Sequence, residues 1–158
     1  MLLLISYALA LDTTKLDTLR AMPDQLVTSD SSTLGSAGPT DGDTIIVGTV
    51  VLTAGTTHLA GVSLFWKHDG RFAGSAELDQ DEVPVTVAAL QAMATLPASA
   101  FAKFHSRSGM QLTLTSSQGV PVLMIQAGSG HIVQIPQSTI ADLVTLLQTA
   151  GATLTPKK

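Results

Sequence analysis

The last third of the chain, residues 109–151, constrains the fold most, because a strand period there gives way to a helix period. Residues 110–115 alternate apolar and polar side chains, which predicts a strand with one buried face. Residues 120–125 form a continuous apolar run, which is typical of a central strand covered on both faces. After a Gly-Ser-Gly turn, residues 131–135 predict a third strand. The segment therefore supplies a sheet layer.

A helix is predicted directly after these strands. Thr139 and Asp142 have the spacing of a capping pair, and Gly151 is placed to end the helix. Four apolar residues at i, i+3, i+4 and i+7 form one stripe: Ile140, Leu143, Val144 and Leu147. Sheet and helix together indicate a two-layer α+β arrangement.

Three segments precede the β-branched residues 44–53. Residues 1–11 are apolar, but they lack a positive n-region and are too short to span a bilayer, so a strand or docking segment is favoured over a signal peptide. Residues 12–27 predict a helix interrupted by Pro23. Residues 28–43 are mostly Ser, Thr, Gly and Asp, which predicts a flexible loop. Together they form a predicted N-terminal extension, residues 1–43.

The middle of the chain predicts strands and then a helix. Residues 44–53 are almost continuously β-branched, and residues 59–67 and 72–78 flank an Asp-Gly hairpin signal. Acidic residues 79–82 suit a helix start better than a metal site, because negative charge favours a helix N-terminus.

The following helix has a predicted buried face of Val83, Val87, Leu90 and Ala94, with Pro84 in its first turn. Residues 98–104, beyond Pro97, predict its continuation. A strands-then-helix order thus occurs twice, as a loose architectural repeat. We expect one α+β domain over residues 44–151, with an antiparallel or mixed sheet flanked by helices and a tail at residues 152–158.

Charge and composition weigh against several functions. The net charge of −4, from 8 basic and 12 acidic residues, argues against nucleic-acid binding, which needs a dense positive surface. The chain has no Cys, and its four His residues lack a short ligand spacing. No catalytic residue, metal or cofactor is predicted.

Two basic groups and one aromatic residue are the candidate partner-binding residues. Each basic group is also consistent with an ordinary solvated turn, and the aromatic residue with core packing. The candidates are Trp66, Lys67, His68 and Arg71 at the hairpin, and Lys103, His105 and Arg107 before the last sheet segment. A shared sheet edge would favour an anionic partner surface.

From residue 61 onward the order of predicted elements and several sequence stretches resemble the roadblock/LC7 (MglB-like) family. The matching stretches are GVSLFWKHDGRFAGSA, VTVAALQAMATL and VPVLMIQAGSGHIVQIP, with glycines at Gly70, Gly128 and Gly130. In place of the family's helix before the first hairpin, this chain has the β-rich residues 44–53. The resemblance implies a roadblock/profilin-like layer arrangement, a cytoplasmic homodimer, and a role in regulating or anchoring a small GTPase or another protein.

The leading prediction is therefore a non-enzymatic, dimeric interaction module. The alternative is a single-stranded nucleic-acid binder, because repeated strands-then-helix also resembles the PC4/Whirly-like arrangement. There Trp66, Phe72, Lys67 and Arg71 would form a stacking and charge surface. A third hypothesis is an enzyme whose His68 or His105 meets Asp69 or Asp81 only in space.

Overall fold

The computed structural model describes residues 14–39 and 41–154, in which two four-stranded antiparallel sheets are each followed by a long helix. The first sheet contains β1 (Val27–Ala37), β2 (Thr44–Ala54), β3 (Thr57–His68) and β4 (Arg71–Asp79). The second contains β5 (Ala102–His105), β6 (Met110–Ser117), β7 (Val120–Ala127) and β8 (Val133–Pro136). The helices are α1 (Lys15–Arg20), α2 (Val83–Ala94) and α3 (Ile140–Leu154). The predicted α+β class with antiparallel sheet is confirmed.

Both sheets are simple meanders, in which each strand pairs with the next along the chain. We call β1–β4 with α2 the first repeat, and β5–β8 with α3 the second repeat. The two-residue turn between β3 and β4 has positive φ angles at Asp69 (49°) and Gly70 (75°), as its Asp-Gly sequence predicts. A short 3-10 turn, Gln137–Thr139, leads into α3.

The inner faces of both sheets, together with α2 and α3, contribute to one continuous core. α3 packs against α2 and against β1, β2 and β3. Its buried residues include the four that form the predicted apolar stripe. A second, smaller cluster lies on the opposite face of the first sheet, where Leu16 and Leu19 of α1 cover the last residues of β2.

β1 contradicts the flexible loop predicted for residues 28–43. It pairs antiparallel with β2, from Val27 opposite Ala54 to Ala37 opposite Ile45. Its Ser and Thr side chains remain in solvent while its backbone completes the hydrogen bonding of β2, so the polar composition does not prevent a strand. β1 therefore belongs to the first sheet, although it lies within the predicted extension.

Further differences occur at element ends. Only Lys15–Arg20 of the helix predicted for residues 12–27 is helical, begun by Thr14, whose hydroxyl accepts the Asp17 N–H. Residues 98–104 form a turn and then β5, because Pro97 ends the preceding helix. α3 continues through Gly151 to Leu154, so the predicted tail begins inside a helix. Predictions for residues 1–13 and 155–158 lie outside the described residues.

Burial also differs at two predicted positions. Val120 of β7 is 55% exposed while Leu123 and Ile125 are completely buried, so β7 is central, with one face buried and the other only half-buried beyond Val120. Ala94 is exposed at the end of α2, where Met93 faces the core in its place.

Candidate interaction surfaces

Trp66 lies in the core and not on a surface. Its relative exposure is 0%, and it stands opposite Gly74 in the β3–β4 pairing. A Cβ added to Gly74 would come within 2.4 Å of Trp66 Nε1, so the indole ring rests directly on the bare backbone of β4. Trp66 is therefore excluded as a partner-contact residue in this conformation, and core packing explains it.

The residue between Leu64 and Trp66 points the other way. Phe65 is 41% exposed on the outer face of the first sheet, and Phe72 of β4 is 68% exposed. Lys67 is also exposed and lies directly opposite Phe72 in the register. We call Phe65, Lys67 and Phe72 the hairpin patch. It combines two accessible aromatic rings with a positive charge on one sheet face.

α1 explains why the hairpin patch is open. The helix covers the outer face of the first sheet at the β2–β3 end, where Leu16 packs against Gly61. It is only six residues long and ends at Arg20, which bonds Glu77 through both guanidinium nitrogens. Among the described residues, α1 does not extend past this ion pair, and the rest of the outer face, towards the β3–β4 turn, carries the hairpin patch.

His68 and Arg71 close the same hairpin, but His68 already has a partner. Its Nδ1 lies 2.6 Å from Asp43 Oδ1, and Asp43 Oδ2 accepts the Gln134 backbone N–H at 2.6 Å. The hydrogen bond to Asp43, supported by its negative charge and that of Asp69, raises the pKa of the His68 imidazole. Because Gln134 belongs to β8, this contact joins the two sheets.

The members of the second basic group, Lys103, His105 and Arg107, lie in different environments. Lys103 and His105 are exposed on β5, and Lys103 Nζ lies 5.6 Å from the Phe101 ring centroid. Arg107, in the β5–β6 turn, donates to Asp79 Oδ2 at 3.0 Å and to Asp81 Oδ1 at 2.7 Å. Its charge is therefore neutralised within the chain and contributes little to an anion-binding surface.

Arg107 joins a cluster that holds three segments together. Asp79, 2% exposed, accepts the backbone N–H groups of Lys15 (2.7 Å) and Leu16 (3.1 Å) and so caps the start of α1. Glu82 accepts the N–H groups of Asp79 and Ser108.

Asp81 lies at the exposed side of this cluster. Hydrogen bonds from Lys15 first and Arg107 second lower the pKa of its carboxyl group. The acidic run predicted as a helix start therefore connects α1, α2 and the β5–β6 turn, and its oxygens are occupied by donors from the chain.

The two basic groups do not share a surface. Arg71 begins β4, whereas Arg107 contacts Asp79 at the other end of β4. Eight residues at about 3.4 Å each separate those ends, which is roughly 27 Å. One chain therefore does not present both basic groups on a single surface for an anionic partner.

His and carboxylate side chains come close together at several places among the described residues. His105 and Asp81 line one cleft of about 190 Å³, in which the Asp81 carboxylate accepts hydrogen bonds from Lys15 and Arg107. His68 contacts Asp43 and lies 3.6 Å from Asp69, but its side chain is 58% exposed and the pair links two sheets. An open cleft of about 420 Å³ includes His58 and Asp79, yet His58 Nδ1 lies 2.9 Å from the Thr53 hydroxyl. Within residues 14–39 and 41–154, no group of three His, Asp or Glu residues is arranged as metal ligands.

Sequence reasoning missed Phe65 as a surface residue, although the required signal was present. The alternation Leu64–Phe65–Trp66 assigns the two faces correctly, and Phe65 is on the face without α2 and α3. What the sequence lacked was the short reach of α1, which decides which part of that face is covered.

No protein-family model matches this chain, and no curated protein matches it. The roadblock-type and Whirly-type interpretations therefore stay predictions. In the part of the chain that the structure describes, no helix is long and apolar enough to cross a membrane.

Proposed function

We propose that this chain is a non-catalytic, dimeric interaction module that binds a protein partner through the hairpin patch. The observation that carries this proposal is the exposure of Phe65 and Phe72 beside Lys67 on the sheet face that α1 leaves uncovered within the described residues. Exposed aromatic residues with an adjacent cation are typical of binding hot spots, because rings bury large areas at small cost in side-chain entropy.

The resemblance to the roadblock family supports a small GTPase as one class of protein partner and a cytoplasmic location. The partner surface that fits the patch is apolar at its centre and acidic where it meets Lys67 and the neighbouring Arg71. The corrected candidate residues are therefore Phe65, Phe72, Lys67 and Arg71. Trp66 supports them from the opposite face of β3.

Affinity capture with three versions of the chain tests this proposal. Phe72→Ala removes an exposed ring from the patch, and Val120→Ala removes an exposed apolar side chain from the second sheet as a matched control. We expect a partner that is retained by the wild type and by Val120→Ala but weakened about ten-fold or more by Phe72→Ala. A partner set unchanged by Phe72→Ala would contradict the proposal.

A second candidate is single-stranded nucleic-acid binding, favoured by the two four-strand meanders, each followed by a helix. The same patch would supply stacking rings and the charges of Lys67 and Arg71. The net charge of −4 weighs against it.

Anisotropy of a labelled oligo-dT at low salt separates the two candidates. The protein-partner proposal expects no change. Binding that weakens with added salt and with Phe72→Ala would instead establish the nucleic-acid function, because released counterions give such binding its salt dependence.

A further inference from the structure

We propose that the edge of β1 that faces away from β2 pairs with β1 of a second copy, in antiparallel orientation around Ser31, to form one eight-stranded sheet. This inference names the interface of the proposed dimer and rests on that part of the proposed function. It concerns residues outside the region that resembles the roadblock family.

β1 is an unusual edge strand for its length. It has 11 residues, and every residue from Thr28 to Thr33 is exposed although the side chains alternate between two faces. It carries neither Lys nor Pro, the residues that commonly protect edges from pairing. Among the described residues, no backbone partner lies on the side of β1 away from β2.

The other sheet edges of the described chain offer less. β5 and β8 have four residues each, and β8 ends in Pro136. The edge of β4 is partly occupied, because the His131 N–H donates to the Ala73 carbonyl at 3.1 Å. β1 is therefore the long edge available to a further strand.

The β2–β3 hairpin fixes which backbone groups of β1 face outward. A two-residue turn, Gly55–Thr56, connects Ala54 to its partner Thr57. The pair that closes such a turn exchanges hydrogen bonds, so Ala54 faces β3, and Thr53 faces β1. Alternation then directs the N–H and C=O groups of Ser29, Ser31 and Thr33 away from the sheet.

Twofold symmetry limits the register of a self-pair. An antiparallel pair with one twofold axis must be centred on a single residue, because directly opposite side chains share a face. Centring on Asp30 places two carboxylates opposite each other, which is unfavourable. Centring on Ser31 places Asp30 opposite Ser32 and Ser29 opposite Thr33. The irregularity between Thr33 and Gly35 ends the regular run there.

The composition of the edge fits a second copy better than another peptide. Selective binding of a foreign strand relies on pockets for its alternate side chains. The exposed side chains of residues 28–33 are Ser, Thr and Asp, which are too short and polar to build apolar pockets, whereas Ser and Thr directly opposite each other can hydrogen-bond across the pair. The edge is complementary to itself in the register centred on Ser31.

Charge substitutions at the twofold axis test this arrangement. Ser31→Lys and Ser31→Asp each place like charges opposite one another, so we expect either variant to raise the dimer dissociation constant about ten-fold or more. An equimolar mixture places Lys opposite Asp and should restore the dimer as a heterodimer. Thr56→Lys, on the exposed β2–β3 turn, is the control for added charge and should leave the wild-type mass unchanged.

A cysteine provides a second, independent readout. The chain has no Cys, so oxidised Ser31→Cys should form a covalent dimer through that position alone. Residues opposite each other in a hydrogen-bonded pair lie about 5.5 Å apart at Cα, within the range for a disulfide.

Light scattering separates failure of this inference from failure of the proposed function. Ser31→Lys and Ser31→Asp variants that stay dimeric would overturn the β1 interface while leaving the dimer intact. If the wild-type chain has the mass of a monomer over the whole of a 100-fold range of protein concentration, the proposed dimer would be overturned as well. Neither result affects partner capture through the hairpin patch, which is measured separately.

Discussion

The two repeats have the same strand order but use it differently. β1, β2 and β3 of the first repeat have 11, 11 and 12 residues, whereas the outer strands of the second repeat have only four each. The longer strands extend past the shared core, so Val50, Leu52 and Ala54 are buried by α1 on the opposite face. Strand length, and not strand order, therefore gives the first repeat its additional surfaces.

This comparison indicates a division of tasks. The second repeat contributes β6, β7, β8 and α3 to the common core, and its outer strands end near the limits of that core. The first repeat also contributes to the core but carries the hairpin patch, the outer edge of β1 and α1. If α1 is an essential layer of the first repeat, substitutions that detach it should lower the free energy of unfolding.

The largest effect is expected from Asp79→Ala. This substitution removes the acceptor for two α1 N–H groups and leaves Arg107 without one of its partners. Each lost hydrogen bond from an N–H group to this buried carboxylate is worth about 2 kcal/mol, so the two together should cost about 4 kcal/mol, while Arg107 keeps its bond to Asp81. Urea unfolding should show this loss of stability, and Asp79→Asn, which keeps one carbonyl acceptor, should show a smaller one. A loss below about 1 kcal/mol for Asp79→Ala would contradict the capping role.

Leu16→Ala should destabilise the chain by about 3 kcal/mol, because Leu16 of α1 is completely buried against the outer face of the first sheet. Hydrogen exchange should quicken at the β2–β3 end before it does in the second sheet. Leu26→Ala, at a residue 84% exposed, is the matched control and should change stability by less than about 0.5 kcal/mol. Equal effects of the two substitutions would show that α1 is not required.

Gly74→Ala should cost about 2 kcal/mol, because the added methyl group meets the Trp66 ring and forces it to move. Ser75→Ala, on the same strand with its side chain exposed, is the control. Urea unfolding measures both, and near-ultraviolet circular dichroism reports the indole environment. An unchanged spectrum with unchanged stability would contradict the close packing of Trp66 on β4.

The smallest effect is expected from pH. The folded state raises the pKa of His68 above the ordinary value of 6.5, mainly through its hydrogen bond to Asp43. The stabilisation is complete below the ordinary value and is lost as pH rises through the higher folded-state pKa. The urea midpoint should fall slightly over that range, and His68→Ala should flatten the fall whereas His105→Ala should not. A fall of the same size in His68→Ala would contradict the link between the sheets.

Much of the fold could be predicted because local signals agreed with the tertiary context. The Asp-Gly turn, the β-branched residues of β2 and the apolar stripe of α3 each specify their element with side chains that also face the core. β1 could not be predicted in this way. Its Ser and Thr residues form a strand because β2 offers hydrogen-bonding partners, and that information lies in another segment.

The candidate sites were less predictable than the fold. Residue type identified Lys67 and Arg71, but burial excluded Trp66 and an ion pair neutralised Arg107. Both outcomes depend on contacts in the folded chain, namely the packing of the indole on Gly74 across the hairpin and the ion pair between Arg107 and Asp79, which are 28 residues apart. Spacing along the sequence gives no access to such contacts.

The burial of the single Trp also determines what tryptophan fluorescence can report. Trp66 has no solvent exposure, so its emission should report the interior of the first repeat and shift to longer wavelength when that interior opens. A ligand resting on Phe65 and Phe72 lies across β3 from the indole and can bind without quenching it. Trp66 fluorescence therefore reports unfolding, whereas detection of binding at the hairpin patch requires a label on the ligand.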